Sequence, residues 1–199
     1  MKRLPHCDVL FRRFFEPWYS EDDRQRRTFS ATRPDMLCLS DLRGRSGADL
    51  SPLADTGRTD VLEQVAAMLE AARRDWPSYL PVRPPVSFHW LNEFDEHYNR
   101  QRVLDLVSHS LPSDFSNDYV VICCELGAVI AAVFRERLPR LEWVPDWPYW
   151  DSALFDPVSA NIVPVFHWGI KKLSSYALTD GIVPKLERCI ELLAEDTSR

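Results

Sequence analysis

Glycine is scarce in this chain, six in 199 residues, and Gly44 and Gly47 precede no Gly-Lys-Ser/Thr, so no P-loop is present. No Gly-x-Ser-x-Gly elbow occurs, and no His-Glu-x-x-His. The five cysteines (Cys7, Cys38, Cys123, Cys124, Cys189) are odd in number, and no two are separated by two residues. That spacing excludes a zinc ribbon and a thioredoxin-like site. Cys123 and Cys124 are adjacent, and on a helix their side chains diverge by about 100°, too far to share one metal. Reduced cysteine used as a small core residue is the reading that remains.

Basic residues are also in deficit. Lys and Arg number 24 against 30 Asp and Glu, a formal net charge of −6. A general nucleic-acid binder needs the opposite balance to displace counterions from phosphate. The basic clusters, Arg12-Arg13 and Arg24, Arg26 and Arg27, are short, and the second follows Glu21-Asp22-Asp23. The longest apolar run, Tyr119 to Phe134, is interrupted by Glu125 and falls short of the ~20 residues a bilayer span needs. Cys7 to Arg13 breaks any apolar leader before it gains length. These absences lead us to expect a cytoplasmic protein with no membrane span, no nucleic-acid partner and no cofactor. An acidic surface serves solubility and also suits a basic protein partner.

What is present is apolar mass for one core, 45% of the residues. The apolar stretch 119–134 predicts a central helix over about 116–137, buried because it is greasy on nearly every side. Around it the pattern predicts a helix over 60–75. Asp60 and Glu63 have capping-box spacing, and Val61, Leu62, Val65, Met68, Leu69 and Ala72 share one face. Four prolines in 77–85 make a stiff connector. A second amphipathic helix is expected over Trp90–Leu111. Strands are expected at 141–144, 149–155 and 162–166, the last two joined across Asp156 to Asn161 in hairpin fashion. A short helix over 168–176 and a final one over 181–195, with Asp180 as N-cap, complete the chain. In the first 58 residues, 8–19 has apolar mass to dock on a core, 35–42 reads as a strand or one helical turn, and 43–52 as a loop. The fold class is therefore α+β, mostly helical, with a buried central helix and an antiparallel sheet of about three strands in the C-terminal half. Residues 1–85 read as an N-terminal portion packed on a main domain, 86–199.

Four groups of residues are candidates for chemistry. Glu125 lies mid-helix among apolar neighbours, where a carboxylate is costly unless paired. A general acid or pocket anchor is one reading; a core carboxylate satisfied by an Arg, an indole N–H or an amide is the one we favour. Asp151 and His167 are brought near each other by the expected hairpin. They would form part of a hydrolase-like site with Glu125 and a nucleophile from Ser152 or Cys124. His89, Glu93 and His97 are spaced four apart, a possible metal set if one helix carries all three, with a solvated polar face as the bland alternative. Finally, Trp147, Tyr149 and Trp150, between two prolines and an acid, are expected near the surface as a protein-binding patch, with Trp143 and Phe155 inside.

Glu125-Leu-Gly-Ala-Val, Leu141-Glu-Trp-Val, Ala153-Leu-Phe-Asp-Pro and Val163-Pro-Val-Phe-His-Trp-Gly-Ile-Lys-Lys together resemble a small bacterial domain family of unknown function, over residues 115–195. The resemblance implies a Leu-Gly helix, a Trp-bearing strand, a hairpin and a Pro-containing strand leading into a helix. It also implies kinship with suspected partners or immunity proteins of bacterial toxins, and it carries over no catalytic residue. Two functions are expected: a non-enzymatic protein-binding module, immunity- or inhibitor-like, or else a small hydrolase using Glu125, Asp151 and His167.

Overall fold

The computed structural model describes residues 3–21, 60–146 and 148–195. The readings made for 35–42 and 43–52, and that for Trp147, fall outside them. The described elements are α1 (Cys7–Phe14), α2 (Val61–Asp75), α3 (Phe88–His97), α4 (Arg100–His109), α5 (Asp118–Arg137), β1 (Glu142–Val144), β2 (Ala153–Asp156), β3 (Asn161–Val163), α6 (Val165–Lys172) and α7 (Ile182–Glu195). The architecture is α+β, mainly helical, with one three-stranded antiparallel sheet in the C-terminal half. No helix among the described residues is long and apolar enough to cross a membrane.

Helix α5 is the axis. Asn117 caps it, its side chain accepting from the Val120 amide at 3.0 Å. An unbroken run from Cys123 to Ala131 is then buried, because α2, α3, α4, α6 and α7 all pack against this one helix. The crossing with α6 is close because glycine stands on both sides of it. A Cβ on Gly127 would fall 2.5 Å from Cδ1 of Phe166, and one on Gly169 would overlap the Cys123 carbonyl oxygen. Tyr119 ties the same two helices near their far end, donating its hydroxyl to the Leu173 carbonyl at 3.2 Å.

The sheet runs β1-β2-β3, with Glu142 opposite Phe155 and Leu154 opposite Val163. Its hairpin is held by Asp156, which is fully buried. This carboxylate accepts from Arg140 at 2.8 and 3.0 Å, from Ser159 Oγ and from the Val158 amide. Arg140 also donates to the Leu193 carbonyl, fastening the sheet to α7. A second staple joins α3, α6 and α7. Lys172 Nζ stands 2.7 Å from Asp95 Oδ1 and donates to the carbonyls of Leu178 and Asp180, while Asp95 Oδ2 accepts from the Ile182 amide.

Several expected boundaries shift. The single helix over Trp90–Leu111 is two, broken at Tyr98, because Asn99 in extended backbone caps a new helix through the Gln101 and Arg102 amides. Residues 149–151 form a 3-10 turn, so β2 begins only at Ala153. β3 ends at Val163 and Pro164 opens α6 three residues sooner than expected. Asp60 spends its carboxylate on the Gln64 side chain and makes no cap bond. Asp180 likewise binds Lys185, and the start of α7 is capped instead by Asp95, distant in sequence.

Candidate functional site

Three features carry the chemistry of the described residues: a buried Asp–His pair, a buried glutamate and an apolar groove.

The pair forms as the hairpin reading predicted. His167 Nε2 lies 3.1 Å from Asp151 Oδ1. Asp151, in the 3-10 turn before β2, faces His167 in the first turn of α6, and both side chains are buried. The surroundings come from the N-terminal segment, which local sequence reading had no means of placing. Tyr19 donates its hydroxyl to Asp151 Oδ2 at 2.8 Å and accepts from the Trp150 indole N–H at 2.7 Å. Phe11 stacks on the imidazole with centroids 5.8 Å apart. The expected nucleophiles are committed elsewhere. Ser152 Oγ bonds the backbone of Asp146. Burial pushes the Cys124 thiol up to about 12, with a bond from Tyr149 working against it, which leaves an inert thiol.

Glu125 is satisfied as a core carboxylate. Its Oε2 accepts from the Trp76 indole N–H at 2.8 Å, and the residue is 3% exposed. Burial raises its carboxyl to about 7; the Trp76 bond lowers it, Asp75 raises it and Arg74 lowers it, each by less. Among the described residues no hydrogen bond joins Glu125 to Asp151 or His167. The expected three-residue constellation therefore divides into a dyad and a separate acid.

The aromatic patch is corrected. Tyr149 and Trp150 are buried, not exposed. The 3-10 turn folds Trp150 onto Phe15, Tyr19 and Phe115, and Tyr149 onto Phe166. Trp143 and Phe155, expected inside, are only partly buried. Tryptophan carries a polar N–H, and it sinks wherever an acceptor waits; for Trp150 that acceptor is the Tyr19 hydroxyl.

His89, Glu93 and His97 do share α3, but they do not converge. His89 Nδ1 lies 3.5 Å from Glu93 Oε1, while His97 packs on the rings of Tyr79 and Tyr98. Desolvation, and to a lesser degree Arg102, lowers the pKa of His97.

The groove is the feature missed in the sequence. It lies between α2 and α5, has a volume of about 570 Å³, and is lined by Leu62, Leu69, Ala128, Ala132 and Trp143 among others, with Arg135 and Glu136 at its lip. A signal did exist. The apolar stripe of α2 is wider than the face it buries: Val61, Val65 and Ala72 are inside, whereas Leu62 is 43% exposed and Met68 and Leu69 only partly covered. Opposite Leu62 and Leu69, α5 contributes Ala132 at the surface and the almost fully covered Ala128 and Ala131 beneath it, side chains too short to fill the space between the helices.

Fold and site thus define a helical α+β protein with a buried Asp–His pair and an open apolar groove. Comparison with protein-family models, curated proteins and solved structures finds no match.

Proposed function

We propose that this chain is a non-catalytic protein-binding module whose docking surface is the groove between α2 and α5, and that its partner presents an apolar helical segment flanked by basic residues. The observation that carries this reading is the surplus apolar face of α2 lying beside an alanine-floored channel. A channel between two helices, floored by small side chains, lets a third helix approach closely and anchor residues at three- and four-residue spacing. Trp143 at its edge is the kind of rigid aromatic that anchors interfaces. The net charge of −6 favours a basic partner and speeds encounter with it. An immunity-type inhibitor of a basic toxin domain fits this description. The alternative, a small hydrolase, draws support from the Asp151–His167 pair alone, since Glu125 is bonded elsewhere and Ser152 and Cys124 are committed.

The test uses a photo-crosslinking residue in place of Leu62, compared with one at Glu187 on the outer face of α7. The Ala132→Arg variant, which fills the groove, serves alongside. The reading requires one protein crosslinked from Leu62 but not from Glu187, and lost in Ala132→Arg while far-UV circular dichroism is unchanged. Equal crosslinking from both positions, or a partner retained by Ala132→Arg, refutes it.

A further inference from the structure

Where α1 begins, His6, Cys7 and Asp8 bring an imidazole nitrogen, a sulfur and a carboxylate oxygen within 4.8 Å of one another. Consecutive side chains normally diverge. These converge because His6 is the N-cap, in extended backbone, and turns its ring back over the first helical turn that carries Cys7 and Asp8. His6 Nδ1 stands 3.6 Å from Cys7 Sγ and 3.3 Å from Asp8 Oδ2. A tetrahedral zinc ion, with bonds of about 2.3 Å to sulfur and about 2.0–2.1 Å to nitrogen or oxygen, would set its ligands apart by about 3.6 Å for S···N and about 3.3 Å for N···O. Two of the three separations match the edges of that tetrahedron, and the third, from Cys7 Sγ to the carboxylate, lies within 4.8 Å and has to shorten as the ion binds.

Hydrogen bonds already hold two of these atoms, and a metal would replace them. The Cys7 thiol lies 3.6 Å from Nδ1, an ordinary distance for sulfur, and also bonds Ser174, while the Asp8 amide, 3.5 Å from Nδ1, is long for a hydrogen bond. Asp8 Oδ1, the carboxylate oxygen that does not face His6, is shut off from solvent with no hydrogen-bond partner, a state that buried carboxylate oxygens rarely keep unless something else satisfies them. The frame is also fixed from outside. The ring of Tyr176 meets His6 edge-on with centroids 5.3 Å apart, and the Ser175 amide donates to the Pro5 carbonyl at 2.9 Å.

We propose that His6 Nδ1, Cys7 Sγ and the Asp8 carboxylate bind one zinc ion, with water in the fourth position. The sulfur and nitrogen donors select zinc over calcium or magnesium. The imidazole is half exposed, which opens the fourth position to water. The charged neighbour is Lys171, close enough to Cys7 to favour its thiolate. Zinc, thiolate and carboxylate sum to no net charge, so the ammonium meets no added cation. Binding releases the thiol proton to solvent.

Cobalt(II) serves as the probe because it takes zinc sites and is coloured. The full chain, freed of metal by chelation, is titrated with cobalt chloride and then with zinc chloride. One equivalent is expected, with a thiolate-to-cobalt charge-transfer band and tetrahedral d–d bands that zinc abolishes. Cys7→Ser removes the charge-transfer band, and His6→Ala and Asp8→Asn each weaken zinc binding by at least about tenfold. His6 is exposed and Asp8 half-buried, so these two variants decide the matter even if Cys7→Ser does not fold. No stoichiometric binding at micromolar metal, a charge-transfer band surviving Cys7→Ser, or full affinity in both His6→Ala and Asp8→Asn overturns the proposal.

Discussion

Replacing Glu125 by Gln should stabilise this protein, and only at neutral to alkaline pH. Trp76 gives the buried carboxyl one hydrogen bond, and Arg74 offsets the cost of burial only in part. Burial therefore lifts it from an ordinary 4.5 to about 7. The sign follows from proton counting. Between these two values the folded chain holds a proton that the unfolded chain has lost, so stability falls as pH rises across that window and levels off above it. At about 1.4 kcal/mol for each tenfold in proton affinity, the charged form costs the fold about 3 kcal/mol above pH 7. Glutamine keeps an acceptor for the Trp76 N–H and carries no charge to desolvate. Urea unfolding of the wild type and Glu125→Gln at pH 4.5 and pH 8 measures the effect, with all other acids common to both proteins. Near pH 4.5 the two midpoints should nearly coincide. At pH 8 the variant should unfold later by about 1 M urea or more, given slopes of roughly 1–3 kcal/mol per M. A difference that does not change with pH, or a variant less stable at pH 8, would refute a buried, only partly compensated carboxylate at this position.

Other substitutions probe the packing and the pairs. Gly169→Ala drives a methyl into the Cys123 carbonyl; since this is backbone and cannot rotate away, a loss of about 2–3 kcal/mol is expected by chemical denaturation. Arg140→Met strands the Asp156 carboxylate. Burial pushes that carboxyl up, but the bonds from Arg140, Ser159 and the Val158 amide together hold it below its usual range. The stability it contributes is therefore present at neutral pH and lost as pH falls through its lowered folded value. Losing the arginine should cost about 3 kcal/mol at pH 7 and less in acid, read from unfolding at pH 7 and pH 3. Tyr19→Phe takes the acceptor from the buried Trp150 N–H, a loss of about 1–3 kcal/mol. It should also shift the tryptophan emission of the folded state, and an unchanged spectrum would count against the Tyr19–Trp150 bond.

The parts legible in the sequence were those set by local pattern. The uniform greasiness of 119–134 gave a central helix, and α2 followed from its stripe. The hairpin chemistry at 156–161 correctly brought Asp151 to His167. Helix ends were less legible. An Asn99 cap interrupts an amphipathic pattern that continues across it, and Asp95 caps α7 in place of the nearer Asp180. The exposure of aromatic residues was not legible at all. Tyr149 and Trp150 sit between Pro148 and Asp151 like surface residues, yet they are buried because Tyr19, some 130 residues earlier, supplies the hydrogen bond that makes burying an indole tolerable.

The sequence alone thus determined the helical axis and the main helices and strands around it, though not their ends or the type of every short segment, because apolar periodicity and capping act over a few residues. The tertiary structure decided which polar groups meet. It separated Glu125 from the Asp151–His167 pair, set glycine against glycine-facing atoms where α5 crosses α6, and left part of the apolar stripe of α2 uncovered beside the alanines of α5. Those outcomes depend on how helices distant in the chain approach one another, and that is fixed by side-chain volume at the contact, which no local pattern encodes.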